Sequence, residues 1–137
     1  MMEQAGAAPT LRRRLLILST LFGALAVLAG AFGAHALSGR VAPRMLDVWA
    51  SAVRYQMWHV FALLAAVALL EHLSLRTLRI AGHAWLAGTV LFCGSLYLLV
   101  VSGITVFGAV TPIGGSLLTT GWLLFALAAW RGPDIAD

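Results

Sequence analysis

Leu15–Leu37 is a run of 23 residues without an acid, a lysine or an arginine, and Arg12-Arg13-Arg14 stands directly before it. A helix rises about 1.5 Å per residue, so such a run crosses the roughly 30 Å hydrocarbon core of a bilayer. Three more apolar stretches follow, at about Ala52–Leu70, Ile80–Val101 and Pro112–Trp130. The links between them are too short for anything but antiparallel neighbours. Lipid offers no hydrogen-bond partner to a backbone, so each run must satisfy its own amides and carbonyls, as a helix does. The expected fold is all-α: a polytopic membrane protein with an antiparallel four-helix transmembrane bundle. Residues 15–131 form that domain, with helices at about 15–37, 52–70, 80–101 and 112–130. Residues 1–14 are expected to be a disordered cytoplasmic segment and residues 132–137 a cytoplasmic tail.

Composition supports a lipid solvent. The chain is 61% hydrophobic and 10% charged, whereas a soluble domain carries about 25% charged residues. Its net charge of +4 comes from nine arginines, and no lysine, against five acids. The arginines lie in short clusters beside the apolar runs rather than in the basic stripe that nucleic acid needs. No nucleic-acid partner is expected. The single cysteine, Cys93, lies inside an apolar run; it cannot form an intramolecular disulfide and reads as a small buried hydrophobe.

Boundary residues refine the spans. Ser38-Gly39 should end the first helix and Pro43 should sit in the first turn of the second. An unbroken helix from Pro43 to His72 would be about 45 Å long, so its first two turns are expected to lie in the interface or bend there. Thr111-Pro112 reads as the start of the fourth helix and Gly132-Pro133 as its end. Arg12, Arg13, Arg14, Arg76, Arg79 and Arg131 share one side, and Arg40, Arg44 and Arg54 the other. The positive-inside rule then places both termini in the cytoplasm. Trp49, Tyr55 and Trp58 suit an outer aromatic belt, Trp85 and Trp130 an inner one. Ala34-His35-Ala36 resembles a signal-cleavage site, but a signal core spans about 7–15 residues; the first run is longer and is expected to be retained.

Small residues mark packing faces, since helices in lipid associate by close backbone approach. The first helix offers Ala26, Gly30 and Ala34 at steps of four, and Ala29 with Gly33. On the second, Tyr55, His59, Ala62 and Ala66 share a face. The third offers Ala84, Gly88, Leu91, Ser95 and Ser102, and the fourth Gly115, Thr119, Trp122, Ala126 and Ala129.

Polar side chains then gather in the outer third of the bundle: His35, Arg54, Tyr55, Gln56, His59, Ser95, Tyr97 and Thr111. Asp47, seven residues before Arg54, is placed to neutralise Arg54 or Arg44. Gln56 lies off the main stripe and is expected to pack against a neighbour. Two readings of this cluster stay open, an architectural one and a binding or proton-handling site. Glu71, His72 and His83 read as solvated residues of the cytoplasmic interface. A haem would need paired histidines, yet His59 and His72 fall about 140° apart on one helix. No third ligand stands at zinc-site spacing, and no Walker loop, nucleophile elbow or HExxH occurs. No metal or other cofactor is expected.

Four segments, Gly30–Leu37 (GAFGAHAL), Val53–Leu64 (VRYQMWHVFALL), Gly94–Leu99 (GSLYLL) and Thr111–Gly115 (TPIGG), resemble the bacterial membrane family called domain of unknown function 423. A vertebrate relative is transmembrane protein 256. The likeness runs from about Leu15 to Trp130; its polar positions are His35, Arg54, Tyr55, Gln56, His59, Ser95, Tyr97, Thr111 and Pro112. It implies a small multi-helix protein of the bacterial inner membrane and brings no activity with it. The favoured function is a non-enzymatic component of that membrane, in contact with the lipid bilayer and packing with itself as a homo-oligomer or with another membrane protein. The alternative is a small transporter or proton- or ion-linked carrier using the outer polar cluster. A third reading, an enzyme acting on lipid or quinone, would have only Tyr55, His59 and Glu71 to use.

Overall fold

Leu11, Leu15, Ser19 and Ala26 recur at helical spacing and are all buried along the first element of the computed structural model, α1 (Met2–Phe32). The structure describes residues 2–134, with side chains from residue 9 onward. α1 runs on through a π turn at Gly33–Leu37. Then come α2 (Pro43–Ala68), a 3-10 turn at Leu70–His72, α3 (Leu75–Ser102) and α4 (Val106–Arg131). Among the described residues there is no strand. α2 packs against both α1 and α3, whereas α4 packs chiefly against α3.

The turns are as their residues require. Gly39, Gly103 and Gly132 take left-handed φ values of +75°, +70° and +69° after α1, α3 and α4, a region that disfavours any residue with a Cβ. Pro43 opens α2, where its missing amide hydrogen is not needed.

Three helical segments, Pro9–Leu37, Leu75–Ser102 and Val106–Arg131, are long and apolar enough to cross a membrane. α2 has 26 residues but falls short on composition, because it carries Arg44, Asp47, Arg54, Gln56 and His59. Two of these are covered by protein: Gln56 is 4% exposed and His59 3%. Flanked by α1 and α3, α2 completes the antiparallel four-helix transmembrane bundle. Its core has two apolar parts. One joins all four helices at the end holding the chain termini, through Leu11, Leu15, Leu63, Leu78, Trp85, Leu118 and Ala128. The other gathers Leu37, Trp49 and Val100 at the end where α1 joins α2 and α3 joins α4.

Several boundaries differ from the sequence reading. Helix replaces the disorder expected in 1–14, from Met2 onward, because Leu11 extends the buried face while Arg12–Arg14 stay exposed on the outer side of the same turns. Residue 1, the side chains of residues 1–8, and residues 135–137 of the expected tail lie outside the described residues. α2 and α3 start earlier than expected, α2 without a break at its first turns. α4 starts at Val106, so Pro112 lies inside it; the ring leaves Gly108 without the usual i+4 amide donor, a defect that neighbouring helices tolerate in membranes. The packing face of α4 is Gly114, Leu118, Gly121 and Ala128, not the row Gly115, Thr119, Trp122, Ala126, Ala129. That is a shift of one residue, about 100° of helix. Trp85 is wholly buried rather than in an inner belt, and Trp49 is 7% exposed.

Candidate functional site

Between the two apolar clusters lies a layer of buried and half-buried polar side chains from α2, α3 and α4, with a backbone carbonyl of α1 among its acceptors. Gln56 of α2 donates from Nε2 to the Phe22 carbonyl of α1 at 2.8 Å, and its Oε1 accepts from the Tyr97 hydroxyl of α3 at 2.9 Å. One amide thus ties three helices. Near by, Trp49 donates its indole N–H to the Ala29 carbonyl at 2.7 Å, with its ring 4.5 Å from that of Tyr97.

His59 joins α2 to α4. Its Nδ1 lies 2.7 Å from the Tyr55 carbonyl, and its Nε2 lies 3.2 Å from Trp122 Nε1. A carbonyl only accepts and an indole N–H only donates. The ring must therefore carry its hydrogen on Nδ1 and offer the Nε2 lone pair, which is the neutral Nδ1–H tautomer. A third link joins α3 to α4: Ser95 Oγ is 2.9 Å from the Phe92 carbonyl and 2.9 Å from Thr111 Oγ1. Ser95 has one proton, and the carbonyl takes it, so Thr111 donates to Ser95 rather than capping a helix.

The layer brings together Gln56, His59, Ser95, Tyr97 and Thr111. It does not include His35 or Arg54, both exposed. At His35 the π turn advances about 80° per residue instead of 100°, so α-helical counting misplaces the ring. Gly33 and Leu37 face inward from that turn, with Gly33 tight against the Trp49 indole, where a Cβ would sit 2.6 Å from Cδ1. Arg54 bonds Ser51 Oγ at 3.1 Å, and that hydroxyl reaches the Asp47 carbonyl at 2.8 Å. No ion pair forms among the described residues, so Asp47 neutralises neither Arg54 nor Arg44. The layer is also deeper than the expected outer third: with α2 starting at Pro43, Tyr55 and His59 fall near its middle.

The expected packing residues divide in the same way. Ala26, Gly33, Ala62, Ala66 and Gly88 are buried, Gly30 and Gly115 are half-buried, and Ala34 is exposed. A Cβ on Gly88 would meet the Leu118 backbone nitrogen at 2.9 Å. Sequence reasoning missed Gly114 and Gly121, whose Cβ atoms would strike the Phe92 backbone and the Trp85 ring. It also missed the donor role of Trp122. The available signal was that an indole N–H within a span needs an acceptor, and few lie at its depth.

Beside His59 an open groove of about 580 Å³ runs between α2 and α4. Tyr55, Trp58, Phe61, Phe92 and Trp122 supply aromatic walls, while His59 and Thr119 bring the polar atoms. Thr119 turns its hydroxyl to the Gly115 carbonyl at 3.0 Å. Among the described residues two interior atoms, Trp85 Nε1 and Thr89 Oγ1, have no hydrogen-bond partner. Among the described residues no three His, Cys, Asp or Glu side chains come together as a metal site.

Residues 29–115, which hold most of this layer, match a family described as "Protein of unknown function (DUF423)". The chain belongs to this family. It is 41% identical over 115 residues to UPF0382 membrane protein YwdK of Bacillus subtilis, covering 83% of this chain and 94% of that one. It is 40% identical over 116 residues to UPF0382 membrane protein SAB0533 of Staphylococcus aureus, covering 85% and 94%. No solved structure matches. Like these relatives, it is a small integral membrane protein of unassigned activity, in contact with the lipid bilayer.

Proposed function

We propose that the chain is a non-enzymatic component of the bacterial inner membrane that assembles with a second copy of itself through the α2–α4 groove. The observation that carries this reading is the groove itself. Its aromatic walls are unfilled by the chain's own residues, with Trp58 54%, Phe61 60% and Trp122 48% exposed. Among the described residues α4 has one extensive neighbour, α3, so its other side is free to pack. Both termini face the cytoplasm in this proposal, supported by six arginines at their end of the chain and three at the other.

A carrier reading draws less support. It needs a polar group able to take up and release a ligand or proton, but Gln56, His59, Ser95 and Thr111 are engaged with one another or with neighbouring helices. An enzyme reading fares no better, since His59 offers no unoccupied nitrogen to a substrate.

The test is oligomeric mass in mild detergent and in native membranes, for the wild type and for Thr119→Trp, which fills the groove from an exposed position. A dimer or larger assembly that dissociates in the variant, with helicity intact, supports the proposal. A monomer throughout, or assembly indifferent to Thr119→Trp, overturns it.

A further inference from the structure

Where the 3-10 turn after α2 lies against the start of α1, the surface holds a hollow of about 350 Å³. Pro9, Arg12, Arg13 and Leu16 line it from α1, and Leu70 and Glu71 from the turn. Both arginines and Glu71 are exposed, and among the described residues none of the three side chains forms a hydrogen bond or ion pair. Arg12 and Arg13 stand directly before the uncharged run that starts at Leu15, so the hollow sits at the membrane boundary. Leu16 stands one turn deeper and 43% exposed, so the charged mouth opens onto an apolar track that leads into the bilayer.

That profile fits one kind of ligand. A guanidinium holds phosphate oxygens with paired, charge-assisted hydrogen bonds. Two arginines and one glutamate leave a single positive charge, which a phosphodiester monoanion balances. An ionised Glu71 only accepts hydrogen bonds, so it suits a head group with hydroxyls to donate, and choline has none. We propose that this hollow binds an anionic glycerophospholipid of the phosphatidylglycerol type. The phosphate lies between Arg12 and Arg13, the head-group hydroxyls meet Glu71, and an acyl chain follows Leu16.

Arg14 belongs to the same run but not to the hollow, which makes it the control for diffuse attraction. The experiment is native mass spectrometry of the full chain released from phosphatidylcholine nanodiscs doped with phosphatidylglycerol or phosphatidic acid. Wild type and Arg14→Gln should retain phosphatidylglycerol about tenfold over phosphatidylcholine, roughly 1.4 kcal/mol, and Arg12→Gln/Arg13→Gln should lose that preference. Glu71→Gln should keep the anionic preference and lose discrimination between phosphatidylglycerol and phosphatidic acid. Equal losses in Arg14→Gln and the double variant would overturn the site in favour of unspecific charge. A free-ligand arm uses glycerol phosphate: binding as tight as that of short-chain phosphatidylglycerol would mean a soluble phosphate ligand and would overturn the lipid assignment. Arg12, Arg13, Arg14 and Glu71 are all exposed, and an unchanged helical spectrum establishes that each variant has folded.

Discussion

Gln56 and Thr89 are both more than nine-tenths buried polar residues, yet the bundle treats them in opposite ways. Gln56 spends both ends of its amide on other helices. In membranes such interhelical bonds are worth about 0.6–2 kcal/mol, so Gln56→Leu and Tyr97→Phe should each destabilise by about 1 kcal/mol. Their combination should lose less than the sum, because they break one shared bond. Strict additivity in a denaturation cycle in detergent would show that the bond contributes nothing. Thr89 Oγ1 has no partner, and a buried unpaired hydroxyl costs about 1–3 kcal/mol. Thr89→Val keeps the shape and removes that penalty, so its unfolding midpoint should rise; a fall would reveal an acceptor. Neither role was legible from side-chain type. Hydropathy marks both residues as polar within a span, but only the position of Phe22 and Tyr97 decides which one is satisfied.

At the scale of the helix, the α3–α4 crossing depends on what is missing. Gly88, Gly114 and Gly121 lie where the two backbones come closest, and a Cβ at Gly114 would strike the Phe92 main chain. Main chain cannot rotate aside, so Gly114→Ala must part the helices, a loss of about 1–3 kcal/mol. Gly94 has nothing within 4 Å of its would-be Cβ. There Gly→Ala gains helix propensity of up to about 1 kcal/mol. The two variants should therefore shift thermal stability in opposite directions, and parallel shifts would contradict the close approach. That α4 has a packing face with small residues was readable from sequence, and its register was not. Thr119 was read as part of the packing row that starts at Gly115, one residue away from the buried one. Instead Ser116, Thr119 and Thr120 all return their hydroxyls to carbonyls four residues back, at 2.8–3.0 Å, and can face lipid. The π turn defeated the reading of His35 for a related reason: period counting assumes a constant twist.

Across the whole molecule, the start of α3 is fastened to the end of α4 at the end that holds the termini. Asp134 Oδ2 accepts from the Leu75 amide at 2.9 Å, capping α3 from beyond the end of α4. Arg131 donates to Thr77 Oγ1 at 3.1 Å, and Ser74 Oγ lies 3.2 Å from the same hydroxyl. Losing a helix cap costs about 0.5–2 kcal/mol. Asp134→Ala should thus speed amide exchange in the first turn of α3 while leaving its middle unchanged; unaltered exchange at Leu75 would mean the cap is idle. Four antiparallel helices were legible because lipid permits little else. This fastening was not, because it joins residues 59 apart in sequence, and local pattern says nothing about such pairs.

The modest hydropathy of α2 also bears on how the chain is made. Segments leave the translocon in order, and each is weighed against lipid as it emerges, with central arginine and aspartate costing about 2.5–3.5 kcal/mol. α1 passes that test alone, whereas α2 arrives with Gln56 and His59 each lacking one of the partners that later cover them. One of those partners, the Phe22 carbonyl, is already in place, but Tyr97 and Trp122 have yet to be synthesised. In an insertion assay α2 alone should partition poorly and α2 preceded by α1 should partition well. Equal insertion of the two would mean that α2 needs no escort. If the escort is needed, the polar layer that closes the finished bundle also sets its timetable, with the first hairpin held half-satisfied until the second is translated.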